Sequence, residues 1–165
     1  MKAKIVLLVI IWVFVLIMFI RFIFGLVKKR LVTRIREKFG NKQVILHSIW
    51  ANYLGRKSRG VTQIRGNGAL VLTGDELWFL LAFPEKEISI PLKDIKSVSL
   101  VKSYLGRTVF RPLLHVVFEH DGIEDSIAWA LPEPEKWKFT CENLACIAAR
   151  QHCPGKKISI ERSEL

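Results

Sequence analysis

Apolar residues run unbroken from position 5 to 20, break once at Arg21 and resume from 22 to 27. As a helix the first stretch spans about 24 Å and the whole about 34 Å, against a bilayer core of about 30 Å. The pattern predicts one transmembrane helix over residues 1–27, with Arg21 as an intramembrane polar residue near one end. Its long side chain can reach the headgroups, or it can meet a partner on another membrane helix. Lys2 and Lys4 ahead of the run imitate a signal peptide. The run is long for one, and residues 19–29 offer no small-residue cleavage site, so an uncleaved anchor is expected.

The polarity then inverts. Residues 28–42 form a cationic segment in which Leu31, Ile35 and Phe39 recur every fourth position with Val32 beside them, a narrow apolar stripe on a basic helix. Gly40-Asn41 marks its stop. Such a helix can lie in the headgroup layer, or its stripe can pack on the following domain while its cations serve only to orient the anchor.

From residue 43 the period changes to short strands and turns. Residues 44–54 form the first strand and 55–67 a loop. Strands at 68–73 and 76–82 flank the turn Gly74-Asp75. Residues 87–92 alternate, and Pro91 places that strand at an edge or at its own end. A strand over 95–103, a loop over 104–112, and a hairpin of 113–119 with 123–130 across His120-Asp121-Gly122 complete the series. Prolines and glutamates at 132–135 are helix-start chemistry. Trp137, Cys141, Leu144, Ala145 and Ala148 share one face of a helix that Pro154-Gly155 ends, leaving a polar tail, 153–165. The prediction is a mainly β domain with one C-terminal α-helix over residues 43–152, behind a single N-terminal transmembrane helix.

Charge fixes the orientation. The chain has 165 residues and a net charge of +11. Two cations precede the apolar run, whereas Lys28, Lys29, Arg30, Arg34, Arg36 and Lys38 follow it. The positive-inside rule places the more basic flank, and so the β domain, in the cytoplasm, at the inner membrane in a bacterial setting. Because the excess falls largely in the neck, anionic phospholipid accounts for it better than nucleic acid. Three cysteines, Cys141, Cys146 and Cys153, are odd in number and lack a CxxC, which speaks against a disulfide framework and against a metal site. No cofactor is expected.

The strand–helix order, together with residues 68–73 facing 77–79, residues 90–95 with Val98, and residues 125–129 leading into Trp137, resembles the bacterial PH-like and GRAM-type domains. The resemblance covers residues 44–150. It implies two near-orthogonal sheets with the helix plugging one open end through Trp137. It also implies that cations on the loop after the first strand, here Arg56, Lys57, Arg59 and Arg65, stand where lipid-binding members hold phosphates. The neighbouring rim, mixed at 83–87 and acidic at 120–125, opposes a shaped headgroup pocket. A second cationic loop carries Lys102, Arg107 and Arg111. The same resemblance places it away from the first. Tyr104 and Phe110 between these cations either mark nucleic-acid or partner contact or pack down onto the sheet, and packing is expected.

His47 and His115 read as ordinary strand residues, and Trp50, Trp78 and Trp129 as core or sheet-face aromatics. No G-x-S-x-G, H-E-x-x-H or phosphate-cradling glycine loop is present. The expectation is therefore a non-enzymatic, membrane-tethered interaction or scaffold module that engages an unidentified protein partner. The alternatives are an anionic-lipid sensor using the basic neck and the loop from Arg56 to Arg65, and a small accessory subunit docked through Arg21 and the apolar helix.

Overall fold

The computed structural model describes residues 2–40, 42–60 and 62–152, and the predicted polar tail with Cys153 lies outside them. The chain divides into two units, Met1–Asn41 and Lys42–Leu165.

The first unit is one uninterrupted helix, α1 (Lys2–Phe39), about 57 Å long at the standard rise. No break separates the apolar stretch from the basic one: the neck is the last three turns of the same helix, which ends next to Gly40 as expected. Residues 20–39 contain no proline to kink it.

The second unit holds β1 (Val44–Arg56), β2 (Gly66–Thr73), β3 (Glu76–Leu81), β4 (Lys86–Pro91), β5 (Ile95–Tyr104), β6 (Arg107–His120), β7 (Ile123–Ala130) and α2 (Pro134–His152). All seven strands join one antiparallel sheet in the order β4-β3-β2-β1-β7-β6-β5. Two paired sheets were expected. The ladder is continuous because β1, thirteen residues long, pairs with β2 over most of its length and with β7 at its end. Its register shifts between Ser48 and Ala51 and between Tyr53 and Gly55 bend the sheet there. The bend can be measured. Three strand spacings separate β3 from β7, about 14 Å in a flat sheet. Yet the rings of Phe79 on β3 and Trp129 on β7 lie 5.9 Å apart between centroids.

Both arms thus close on one core. Leu70, Leu72, Phe79 and Ile90 come from one side, and Leu114, Val116, Ile127 and Trp129 from the other. Trp137, Cys141 and Ala145 of α2 join them, and Trp137 is only 4 % exposed. Burial drives the Cys141 thiol up to about 12, so it packs as a small hydrophobe. Pro91 ends the edge strand β4, where its missing N–H costs nothing.

The β5–β6 connection departs from expectation. The supposed loop over 104–112 is a two-residue turn at Leu105-Gly106, with φ of 49° and 72°, after which β6 starts at Arg107. Leu at a positive φ costs on the order of 1–2 kcal/mol, so the sequence carries no turn signal there. The compensation is tertiary. Leu105, Val109 and Val101 pack on a second cluster, Leu54, Tyr104, Leu113, Ala128 and Ala130, on the face opposite the core. The Tyr104 hydroxyl donates to the Ser126 carbonyl of β7 at 2.6 Å, reaching past the intervening β6. The end of the β5–β6 hairpin therefore folds back over the outer face of β7 toward β1.

Candidate functional site

Within the loop after β1, the sequence suggests glycine-flanked, flexible cations. The structure shows a cross-linked segment. Gly55 has φ of +129°, and a Cβ there would lie 2.7 Å from Gln63 Nε2, so both backbone and space call for glycine. Gln63 ties the loop shut. Its amide donates to the carbonyls of Arg56 (2.8 Å) and Gly60 (2.5 Å), and its Oε1 accepts from Arg56 N (2.6 Å) and the Tyr53 hydroxyl (3.1 Å). Sequence reasoning passed over Gln63. A lone glutamine in a Gly- and Arg-rich stretch gives no signal until the loop closes around it.

Asp125 is the second anchor. It is 4 % exposed and was expected to belong to an acidic rim. It accepts from Arg56 Nε, from Ser58 N at 3.0 Å and Ser58 Oγ at 2.5 Å, and from Ser126 N at 2.8 Å. Burial alone would raise its pKa. The bonds from Ser58 and Arg56, with the two backbone N–H groups, outweigh burial and hold the carboxyl below its ordinary 3.8. Arg56 also lies over the Phe118 ring, 5.1 Å from its centroid.

The cations expected to act together therefore go different ways. Arg56 is committed to Asp125, with a side chain 18 % exposed. Lys57 and Arg59, on a single 3-10 turn, are exposed. Arg65 lines a cleft that it shares with residues of β6. On α1, Lys28, Lys29, Arg30, Arg34, Arg36 and Lys38 are all exposed, with Arg34 3.6 Å from Glu37. Arg21 is exposed among apolar neighbours.

The folded-back hairpin produces a juxtaposition that contradicts the expected separation of the two cationic loops. A cleft of about 300 Å³ opens between residues 52–54 of β1, Arg65 just before β2, and residues 107–109 of β6. It has two arginines, Arg65 and Arg107, with the polar side chains of Asn52 and Thr108, and no acid in its lining. The Nε and Nη2 of Arg65 are shut from solvent and have no hydrogen-bond acceptor among the described residues. Tyr104 packs down as expected. Phe110 does not: it is fully exposed, beside exposed Arg107 and Arg111.

His115 sits in β6, with Nδ1 3.1 Å from Ser99 Oγ, and burial followed by Lys57 lowers its pKa. Trp78 and Trp129 are core residues, whereas Trp50 and His47 face outward.

No family model and no curated protein matches the chain. Among solved structures, it is similar to the C-terminal domain of an unknown protein from Leishmania infantum, at 11 % identity and TM-score 0.51 over 72 % of this chain and 97 % of that one. It also aligns with a chain of the 8S snRNP assembly intermediate, at 12 % identity and TM-score 0.48 over 72 % of this chain and 90 % of the other. At these identities the likeness to the first is one of fold alone.

Proposed function

We propose that the protein is a non-enzymatic, membrane-tethered PH-like module that presents its β domain as an interaction or scaffold unit at the cytoplasmic face of a membrane. The observation that carries this reading is α1. Its apolar side chains from Val6 to Leu26 are exposed, and its most apolar stretch of 18 residues has a mean hydropathy of 3.1. A contiguous apolar surface of that length in water is far beyond the few hundred Å² that a soluble monomer exposes. On an insertion scale Arg21 would cost about 2.5–3.5 kcal/mol at the bilayer centre, which roughly eight Leu, Ile, Val or Phe residues offset. The PH-like assignment is supported by seven antiparallel strands, a sheet bent about β1, and a C-terminal helix seated on the core through Trp137. The polar network around Asp125 is bonded internally, as a scaffold's is, and its carboxyl is engaged by four donors.

The exposed cations of the last three turns of α1 support a second component, contact with anionic lipid by general electrostatics. A continuous helix that crosses a bilayer cannot also lie flat on it, so these cations would act as a collar at the headgroups.

The test is carbonate extraction together with reporters fused at the C-terminus. The protein is expected to stay in the membrane pellet, with a cytoplasm-active reporter working and a reporter active only outside the cytoplasm silent. Release by carbonate, or the reverse reporter pattern, refutes the reading. Purification of the full chain in mild detergent should then bring down a stoichiometric protein.

A further inference from the structure

We propose that the end of the β5–β6 hairpin, Phe110 with Lys102, Arg107 and Arg111 around it, docks on an anionic lipid surface.

The register of the hairpin builds this feature. β5 and β6 pair Val101 with Leu113 and next Ser103 with Thr108, so residues 109–112 of β6 stand opposite Lys102 alone. Surplus residues on one strand bulge and re-aim their side chains. Here Val109 packs on the outer cluster of Leu54, Leu113 and Ala128, and its neighbour Phe110 is thrown fully into solvent. The bulged segment also lies beyond the last β7 partner, where Leu113 faces Ala130, so β7 does not pair with it. Its base is held by the Tyr104 bond to the Ser126 carbonyl. Phe110 thus projects from a fixed support and adds nothing to the core.

A single exposed apolar side chain is ordinary. The charge around this one is not. No Asp or Glu occurs from Ile95 to Phe118, whereas Lys96, Lys102, Arg107 and Arg111 do. Lys96 pairs with Glu119 at 2.7 Å. The other three are exposed, and none has an ion pair among the described residues. The rest of residues 42–152 carries twelve acids against ten bases. The positive excess of the β unit therefore sits on this one hairpin, beside its most exposed aromatic ring.

The size of the feature selects the partner. A stable protein interface buries about 800 Å² on each side around an apolar centre, and one ring among three cations supplies no such centre. Single-stranded nucleic acid needs successive rings along a groove. A lipid surface needs neither: a ring seats among the headgroups and the cations meet anionic lipid. The inference rests on the proposed anchoring of α1. Only four residues separate Phe39 from Val44, so the anchor would keep the β unit beside the bilayer, where a weak contact gains from effective concentration.

The test places the full-length, deuterated protein in phosphatidylcholine nanodiscs with and without phosphatidylglycerol, each doped with a lipid bearing a nitroxide near its headgroup. Paramagnetic broadening of backbone amides is read by NMR. Amides from Val6 to Leu26 of α1 should broaden in both discs, which checks the anchor by itself. Amides of residues 107–111 should broaden in the phosphatidylglycerol discs, less in phosphatidylcholine alone, and less again at high salt. Arg107→Gln with Arg111→Gln should lower the ratio of docked to free hairpin about 25-fold, at about fivefold for each cation. Phe110→Ser should lower it about tenfold or more without changing the melting temperature. Lys93→Gln with Arg150→Gln, which removes the same charge elsewhere, should change it less than twofold. A broadened α1 beside an unbroadened hairpin overturns this inference and leaves the anchor standing; an unbroadened α1 overturns both. Equal broadening of the hairpin in the two discs, or broadening undiminished in folded Phe110→Ser and in the folded arginine pair, also overturns it. So does saturable movement of residues 107–111 by poly(U) or polyglutamate with none in the discs, which assigns the hairpin to nucleic acid or to an acidic protein. Circular dichroism reports folding, and if the arginine pair does not fold, Phe110→Ser decides.

Discussion

Asp125→Asn removes a charge and almost no volume from the contact that joins the β1–β2 loop to β7. The carbonyl oxygen of the new side chain can still accept from Ser58 N and Ser126 N, the partners of Oδ1. Its amide then faces Arg56 Nε and Ser58 Oγ, the partners of Oδ2. The serine hydroxyl can rotate and accept instead, but the guanidinium cannot. The loss is therefore mainly one charge-assisted hydrogen bond, about 1.5–3 kcal/mol, plus the charge that compensates a largely buried arginine. Breaking a fully buried pair costs about 3–5 kcal/mol. Arg56 keeps some access to water at 18 % exposure, so we expect about 3 kcal/mol, roughly a 150-fold change in the unfolding equilibrium. Urea unfolding of the full-length protein in mild detergent, followed by tryptophan fluorescence, reads this through Trp78 and Trp129, both in the core. A double-mutant cycle with Arg56→Met isolates the pair, with an expected coupling of about 2 kcal/mol. The pH dependence gives an independent check. The carboxyl's pKa is lowered in the fold, so its contribution is present above the unfolded value of about 4 and is lost as pH falls through the folded value. The wild type should lose stability below about pH 4, and Asp125→Asn should lose less. A loss under about 0.5 kcal/mol, or a coupling near zero, would refute the account of this network.

Trp137→Ala should destabilise the β unit by about 3–5 kcal/mol as a large-to-small core change, and a near-neutral result in the same urea assay would remove α2 from the core. Gly68→Ala should cost several kcal/mol or abolish folding, since its Cβ would lie 2.1 Å from the Leu80 carbonyl oxygen across the β2–β3 pair. Normal expression and melting temperature would contradict that close approach. Tyr104→Phe should cost about 1–2 kcal/mol through the buried Ser126 carbonyl left unbonded, and hydrogen exchange should rise at residues 101–109; unchanged exchange would show that the hairpin does not depend on this bond.

The sequence alone determined whatever depends on local period. A long unbroken apolar run reads as one helix, α1, and alternation at 87–92 with a terminal proline reads as a strand at an edge or at its own end, and β4 is both. Gly74-Asp75 and Asp121-Gly122 announced their hairpins because turn chemistry is carried by the turn residues themselves. Trp137 was legible as a core residue because a helix face is defined by spacing. Tertiary structure decided what depends on distant partners. Whether the sheet is one or two rests on β1 pairing at both of its edges, and no residue of β1 encodes that by itself. Leu105 breaks the rule for its turn because the strain is offset by packing on a cluster drawn from β1, β5, β6 and β7, most of it distant in sequence. The site residues divided on the same principle. Exposed cations on α1 could be read from their order, since nothing needs to meet them. Arg56 and Arg65 look alike in sequence, nine positions apart in one basic loop. The fold gives the first a carboxylate from β7 and the second another arginine from β6, because the loop closed by Gln63 points them to opposite neighbours.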